Sequence, residues 1–234
     1  MTSSASPSVL VTGATSGIGQ AIARGFANAG EQVLAVGVGV IPPAEHNITY
    51  ASLDVVDDAA VGTMISPLKN LRTVVNAAGV IRRQAEHDPV VFQQVIDVNL
   101  NGTMRVCAAA RDSLAVNKGA IINIASMLSF FGGGLVPGYS ASKGGVVQLT
   151  KSLAIAYAPE GIRVNALAPG WIATPLTEGL QEDSLRSDAI VNRTPMARWG
   201  TPDDLVAPTL FLAGTGAAFI TGAVLNVDGG YAAM

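Results

Sequence analysis

Three side chains within residues 121–143, I-I-N-I-A-S-M-L-S-F-F-G-G-G-L-V-P-G-Y-S-A-S-K, have types and spacing suited to acid–base chemistry. Tyr139 and Lys143 are four apart, so on a helix they share a face and their side chains can meet. A lysine ammonium beside a phenol favours phenolate and lowers the phenol's pKa. Ser126 follows an apolar run, Ile121 to Ala125, that reads as a buried strand. A hydroxyl at that strand end can hold a carbonyl or hydroxyl oxygen while Tyr139 passes the proton. The same Tyr–Lys spacing also occurs on ordinary helix surfaces, so the rest of the chain has to supply the context.

That context is a strand–helix alternation running end to end. Strands are predicted at Val9–Thr12, Gln32–Val36, Ile48–Leu53, Thr73–Asn76, Ala120–Ala125, Arg163–Ala168 and Val224–Val227. Helices are predicted near 17–29, 57–69, 88–116, 139–158, 179–191 and 202–213. The alternation implies an α/β fold with a parallel sheet covered by helices on both faces. No linker or repeat divides the chain, so residues 1–234 read as one domain. The stretch from Gly37 to Asn47 is rich in Gly and Pro and leaves no room for a helix between the second and third strands.

The first strand leads into S-V-L-V-T-G-A-T-S-G-I-G, residues 8–19, and then into a helical run. Gly13, Gly17 and Gly19 permit a tight turn and close backbone approach to a pyrophosphate, which the helix N-terminus would attract. A plain Gly-rich turn is the bland alternative.

Composition narrows the classes. Hydrophobic residues make up 49% of the 234 and charged residues 13%, a composition that buries a sizeable core. A net charge of −3 offers no basic footprint for nucleic acid or an anionic membrane. No apolar run is long enough to span a membrane, and residues 1–8 lack the pattern of a signal peptide. The single Cys107 lies in an Ala-rich helical run and reads as core; with no internal disulfide possible, a reducing, cytoplasmic setting is expected. His46 and His87 lie far apart without flanking ligands, so no metal site is expected.

Y-x-x-x-K preceded by Ser126, together with G-x-x-x-G-x-G after the first strand, resembles the short-chain dehydrogenase/reductase family. The resemblance covers essentially the whole chain. It implies a Rossmann-like, doubly wound parallel sheet of about seven strands in a single domain. It also implies a catalytic tetrad of Asn99, Ser126, Tyr139 and Lys143, with Lys143 binding the nicotinamide ribose and Asn99 keeping a proton relay. Taken by itself, Asn99 in I-D-V-N-L-N-G would read as a polar face of a helix; the resemblance gives it a helix irregularity to hold.

Cofactor contacts follow from the same resemblance. They fall on Gly13, Thr15, Ser16, Gly17, Ile18 and Gly19 in the first turn, Gly37 after the second strand, and Asp54 and Val55 after the third. They continue at Asn76, Ala77, Ala78 and Gly79 in V-N-A-A-G, at Tyr139 and Lys143, and at Pro169, Gly170, Ile172 and Thr174 in P-G-W-I-A-T. Asp54 reads equally as a helix cap. Asn76 is expected to bond backbone. Where NAD enzymes usually carry an acid and NADP enzymes a base, this chain has Val36, Gly37, Val38 and Gly39, with Ser16 before Gly17. NAD is the expected cofactor, since a 2′-phosphate would lack a cation; NADP is not excluded.

For substrate, Arg82 and Arg83 follow the glycine of N-A-A-G-V-I and read either as a solvated pair or as a carboxylate holder. Arg82, Met127, Leu128 and Trp171 are the expected substrate contacts, Trp171 either facing substrate or merely packing. Residues 175–200 are expected to form a mobile lid, with Trp199 anchoring it. With N-I-A-S-M-L-S and R-T-P-M-A-R-W-G, the arginine pair resembles the branch containing 2-deoxy-D-gluconate 3-dehydrogenase and gluconate 5-dehydrogenase. A sugar acid is therefore the expected substrate and a homotetramer the expected assembly. A 3-oxoacyl thioester reductase and a non-catalytic nucleotide-binding scaffold remain alternatives.

Overall fold

In the computed structural model, which describes residues 6–233, strand β1 (Val9–Thr12) is buried on both faces. Val9 and Val11 join one apolar cluster and Leu10 another, as the two-residue period of a strand requires. The chain continues through α1 (Gly17–Asn28), β2 (Val33–Gly37), β3 (Ile48–Ser52), α2 (Asp58–Ile65) and β4 (Thr73–Asn76). Next come α3 (Pro89–Ile96), α4 (Gly102–Asn117), β5 (Ala120–Ile124), α5 (Pro137–Tyr157) and β6 (Arg163–Pro169). The last elements are α6 (Glu178–Gln181), α7 (Ser184–Arg193), α8 (Val206–Ala213) and β7 (Val224–Val227).

The seven strands form one parallel sheet in the order β3-β2-β1-β4-β5-β6-β7. Ile22 and Phe26 of α1 and Leu212 of α8 pack on one face with Ile122 and Leu167. Val61 and Ile65 of α2, Val106 and Leu114 of α4 and Leu153 of α5 pack on the other, against Leu10, Val74 and Ile121. Each fully buried Ile or Leu removes enough apolar surface from water to contribute roughly 1.5–3 kcal/mol. This is the doubly wound sheet expected from the sequence. Strand order reverses between β1 and β4, which opens a crevice at their carboxyl ends.

Several element boundaries differ from those predicted, each for a local reason. The helix predicted over 88–116 is two helices joined by a π-turn, Asp97–Asn101. The helix predicted over 57–69 stops at Ile65, with Ser66 still in helical backbone, because Pro67 has no N–H to continue the ladder. Pro137 starts α5 earlier than predicted, consistent with its preference for the first turn. The 179–191 helix is split, and Asp183 caps α7 by accepting from Arg186 N. Between β2 and β3 there is no helix, as expected; Glu45 pins that connection by accepting from Arg24 Nε (3.0 Å), Arg24 Nη2 (2.9 Å) and Tyr50 Oη (3.0 Å).

Candidate active site

The carboxyl edge of β5 carries Ser126, and a capping turn fixes it. Ser126 Oγ accepts from Leu128 N at 3.1 Å, and Ser126 N donates to Ser129 Oγ at 3.2 Å. Ser129 Oγ in turn donates to the Lys143 carbonyl at 2.8 Å. The serine turn and helix α5 are thereby tied directly. Lys143 is buried within α5, and its Nζ donates to the Ile124 carbonyl at 2.6 Å. That Nζ lies 5.6 Å from the centroid of the Tyr139 ring, so the four-residue spacing does bring the two side chains together.

Asn99 sits in the π-turn and is fully buried. Its amide bonds both polar groups of Val80: Oδ1 accepts from Val80 N at 2.8 Å and Nδ2 donates to Val80 O at 3.0 Å. Nδ2 also donates to Ser142 Oγ at 3.0 Å, and Ser142 Oγ donates to the Tyr139 carbonyl at 2.7 Å. A Cβ added to Gly79 would meet Asn99 Oδ1 at 3.4 Å and Lys143 Nζ at 3.6 Å. The four tetrad candidates thus share one small region above β4 and β5.

Electrostatics here differ from the sequence expectation that Lys143 lowers the Tyr139 pKa. Burial pushes the Tyr139 phenol up, the Ser126 hydroxyl pulls it back, and the negative charge of Glu86 raises it further. Burial lowers Lys143 from 10.5 to about 8, because the ammonium lies away from water.

Glu86 had no local signal in the sequence. It is 1% exposed, accepting from Arg82 N and Tyr139 N, each at 2.7 Å. The N-cap of α5, Val136, has no capping side chain. Glu86 therefore caps that helix from a distant loop, and its charge lies at the positive end of the helix dipole.

At the β1 turn, Gly13 has φ +62°, and a Cβ there would lie 2.6 Å from Ala78 N and 2.7 Å from the Ala77 carbonyl carbon. Thr12 Oγ1 accepts from Ala78 N at 3.2 Å, so the turn packs on the Asn76–Gly79 segment. Gly19 backs onto Gly13, and Gly17, with Ile18 the first residues of α1, has φ +54°. Ser16, the N-cap, makes no side-chain cap, which leaves the helix start open to an anion. Thr15 Oγ1 donates to Val38 O at 3.3 Å and packs on Gly37. The Thr174 methyl comes within 3.5 Å of a Cβ placed on Gly17. Ile172 is buried and bridges Gly200, and Gly170 N donates to Val227 O at 3.0 Å. Glycines with no room for a side chain, an uncapped helix and a basic residue at Lys143 fit a dinucleotide.

Two smaller expectations are corrected. Asn76 bonds side chains, not backbone: Nδ2 donates to Asn123 Oδ1 at 2.9 Å and to Cys107 Sγ at 3.3 Å. Asp54 does not cap α2; Asp57 does, through Ala60 N, while Asp54 Oδ1 accepts from Val56 N. Val55 is buried against Gly102. Cys107 is core, as expected, and burial raises its thiol to about 12.

A cavity of about 680 Å³ opens beside Ser126 and Tyr139. Met127, Leu128, Gly170 and Trp171 line it, as do Leu176, Leu180, Arg186 and Arg193 of the segment predicted as a lid. Arg83 lines it, but Arg82 does not. Arg82 is exposed, with its backbone N held by Glu86 and its Nη1 turned back to the Ile81 carbonyl (3.3 Å), which corrects the choice of Arg82 as the substrate contact. Trp171 packs edge-on against Trp199 and Tyr231, with centroids 6.0 and 6.4 Å apart, so it both lines the cavity and packs. Trp199 Nε1 donates to Ser187 Oγ at 2.9 Å, anchoring α7. Arg186 and Arg193 escaped the sequence reading; their seven-residue spacing on one helix face was the available signal.

Residues 13–232 match the family described as Enoyl-(Acyl carrier protein) reductase. A 2-dehydro-3-deoxy-D-gluconate 5-dehydrogenase of Pseudoalteromonas atlantica is 40% identical, over 95% of this chain and 94% of its own. The Bacillus subtilis protein of the same name is 38% identical, over 95% and 93%. A structure of a putative 2-deoxy-D-gluconate 3-dehydrogenase from Agrobacterium tumefaciens with bound NADP superposes with TM-score 0.89 at 39% identity, covering 97% and 96%. The chain belongs to the short-chain dehydrogenase/reductase family, NAD(P)-dependent oxidoreductases acting on CH–OH groups. Among the described residues no helix is long and apolar enough to cross a membrane.

Proposed function

We propose that this protein oxidises a secondary hydroxyl of a sugar acid or deoxy sugar acid, reversibly. When bound, the nicotinamide takes or gives the hydride. Ser126 orients the substrate oxygen. Tyr139 is the general acid/base, and Lys143 holds the nicotinamide ribose. Asn99, through Val80 and Ser142, keeps the turn and helix α5 in register. Gly13, Gly17, Gly19 and the α1 start hold the pyrophosphate.

The observation that carries the substrate class is the lining of the cavity. Arg83, Arg186 and Arg193 face it, and no Asp or Glu is among its lining residues, in a chain whose net charge is −3. Such a lining attracts an anion. The names of the relatives, sugar-acid dehydrogenases, agree with this reading.

NAD is our cofactor choice. The turn after β2 offers Gly37, Val38 and Gly39, and Arg24, the only cation in residues 6–50, is engaged by Glu45. Residues 175–200 act as the lid of this single domain. A homotetramer would cover Val116 and Ile155, which are 79% and 80% exposed on α4 and α5.

The test is reduced-nicotinamide absorbance with NAD or NADP across 2-dehydro-3-deoxy-D-gluconate, D-gluconate, galactitol and a 3-oxoacyl thioester. Turnover of the acids with NAD is expected. Turnover of galactitol or the thioester alone would overturn the substrate class, and dependence on NADP the cofactor choice.

A further inference from the structure

We propose that Arg193, seated on Tyr231, is the group that receives the carboxylate of the substrate. This rests on the sugar-acid reading above and assigns it a residue.

The ten arginines of the chain divide by what they hold. Arg24, Arg72, Arg105, Arg111, Arg186 and Arg198 are each paired with a carboxylate. Arg163 is used up on backbone carbonyls of the α8 end. Among the described residues, Arg82, Arg83 and Arg193 have no carboxylate partner, and of these only Arg83 and Arg193 face the cavity.

Those two differ in how they are held. The Arg83 side chain makes no hydrogen bond among the described residues, so binding an anion would have to order it. Arg193 is already ordered. Its Nη1 donates to Tyr231 Oη at 3.0 Å, and its guanidinium carbon lies 4.3 Å from the Tyr231 ring centroid and 5.6 Å from that of Phe131. Nε and Nη2, one edge of the fork, remain without a partner among the described residues. A guanidinium stacked on aromatic rings keeps its charge, is weakly hydrated and loses little rotamer freedom on binding a planar carboxylate.

The seat is itself fixed. Gly229 and Gly230 have φ of +62° and +89°, and a Cβ on either would come within 2.8 Å of Thr194 Cγ2 or 2.9 Å of Pro195 Cγ. The Asp228 carboxylate accepts from Gly230 N at 3.0 Å and Ala232 N at 2.8 Å, and Met196 N donates to Gly229 O at 3.0 Å. The end of α7 and the D-G-G-Y turn therefore behave as one piece, holding the guanidinium at the cavity wall. Tyr231 is a positioning residue that acts through Arg193.

Steady-state kinetics on the full chain test this, with 2-dehydro-3-deoxy-D-gluconate as the probe. Arg193→Ala should raise its KM by about 10- to 100-fold, the loss of a charge-assisted contact, while kcat and the cofactor KM stay within about twofold. Tyr231→Phe keeps the stack but removes the oxygen, so a rise of about 3- to 10-fold is expected, again in KM alone. Arg83→Ala should cost less than Arg193→Ala. Equal rises in acid and cofactor KM, or a larger penalty from Arg83→Ala, would overturn the assignment. If the parent turns over the acid and Arg193→Ala leaves its KM unchanged, this assignment alone falls. If the parent turns over no acid, the sugar-acid reading falls with it.

Discussion

The two walls of the cavity are built on opposite plans. The wall carrying Ser126, Tyr139 and Lys143 is anchored to β5 and α5, with Lys143 buried and the other two half-buried, and is cross-tied by Ser129, Asn99 and Glu86. The facing wall is residues 175–200 and the Asp228–Tyr231 turn, largely exposed and held by short polar contacts such as Trp199 to Ser187. Proton transfer tolerates little positional error, so its groups sit on the end of β5 and on the long helix α5. Selection among hydroxylated substrates needs charge at adjustable positions, which a surface segment supplies.

Breaking the buried wall should have the largest effects. Tyr139→Phe is expected to lower kcat by about 10³-fold while dinucleotide binding persists, measured by turnover and by fluorescence titration. Retained turnover would remove Tyr139 from the proton path.

Lys143 sharpens the same contrast through pH. Its folded pKa of about 8 lies below the ordinary 10.5, so burial disfavours the ammonium in the folded state. Below pH 8 both states hold the proton and the folded state carries the full penalty. Between pH 8 and 10.5 the folded state has released a proton that the unfolded chain still binds, so stability rises with pH, by up to about 3 kcal/mol. Urea melts across that window should show this rise in the parent and lose it in Lys143→Met.

Glu86→Ala leaves Tyr139 N and Arg82 N without their acceptor and uncaps α5. A loss of about 2–3 kcal/mol in denaturant melts is expected. On the other wall, Ser187→Ala removes one partly exposed hydrogen bond, so the melt should move by no more than about 1 kcal/mol. A loss there as large as that of Glu86→Ala would end the distinction between the walls.

The sequence exposes the buried wall far better than the open one. Strand and helix periodicity located all seven strands, because a parallel sheet buried on both faces leaves continuous apolar runs such as Ile121 to Ala125. The glycines of the first turn were legible because Gly13 and Gly19 have no space for a side chain. Glu86 was not legible, since its partners lie at Arg82 and, across 53 residues, at Tyr139. Arg82 and Arg83 look alike in sequence, whereas the loop turns their side chains in different directions and only Arg83 lines the cavity. Arg193 needed Tyr231, 38 residues away, to become visible as a site.

The π-turn at Asp97–Asn101 limits which deletions the chain can absorb. A π-turn holds one residue more than the α-helical turn it replaces. Deleting one residue there would let α3 and α4 fuse into a regular helix, which by itself is the easier structure to form. Because a π-turn absorbs its extra residue in one widened turn, α3 and α4 would stay nearly in phase and the loss would fall on the turn itself. Asn99 would leave Val80, and the sheet-edge turn it holds would have no other partner for its two polar backbone groups. The irregular turn is therefore what seats the Asn99 amide against both polar backbone groups of Val80.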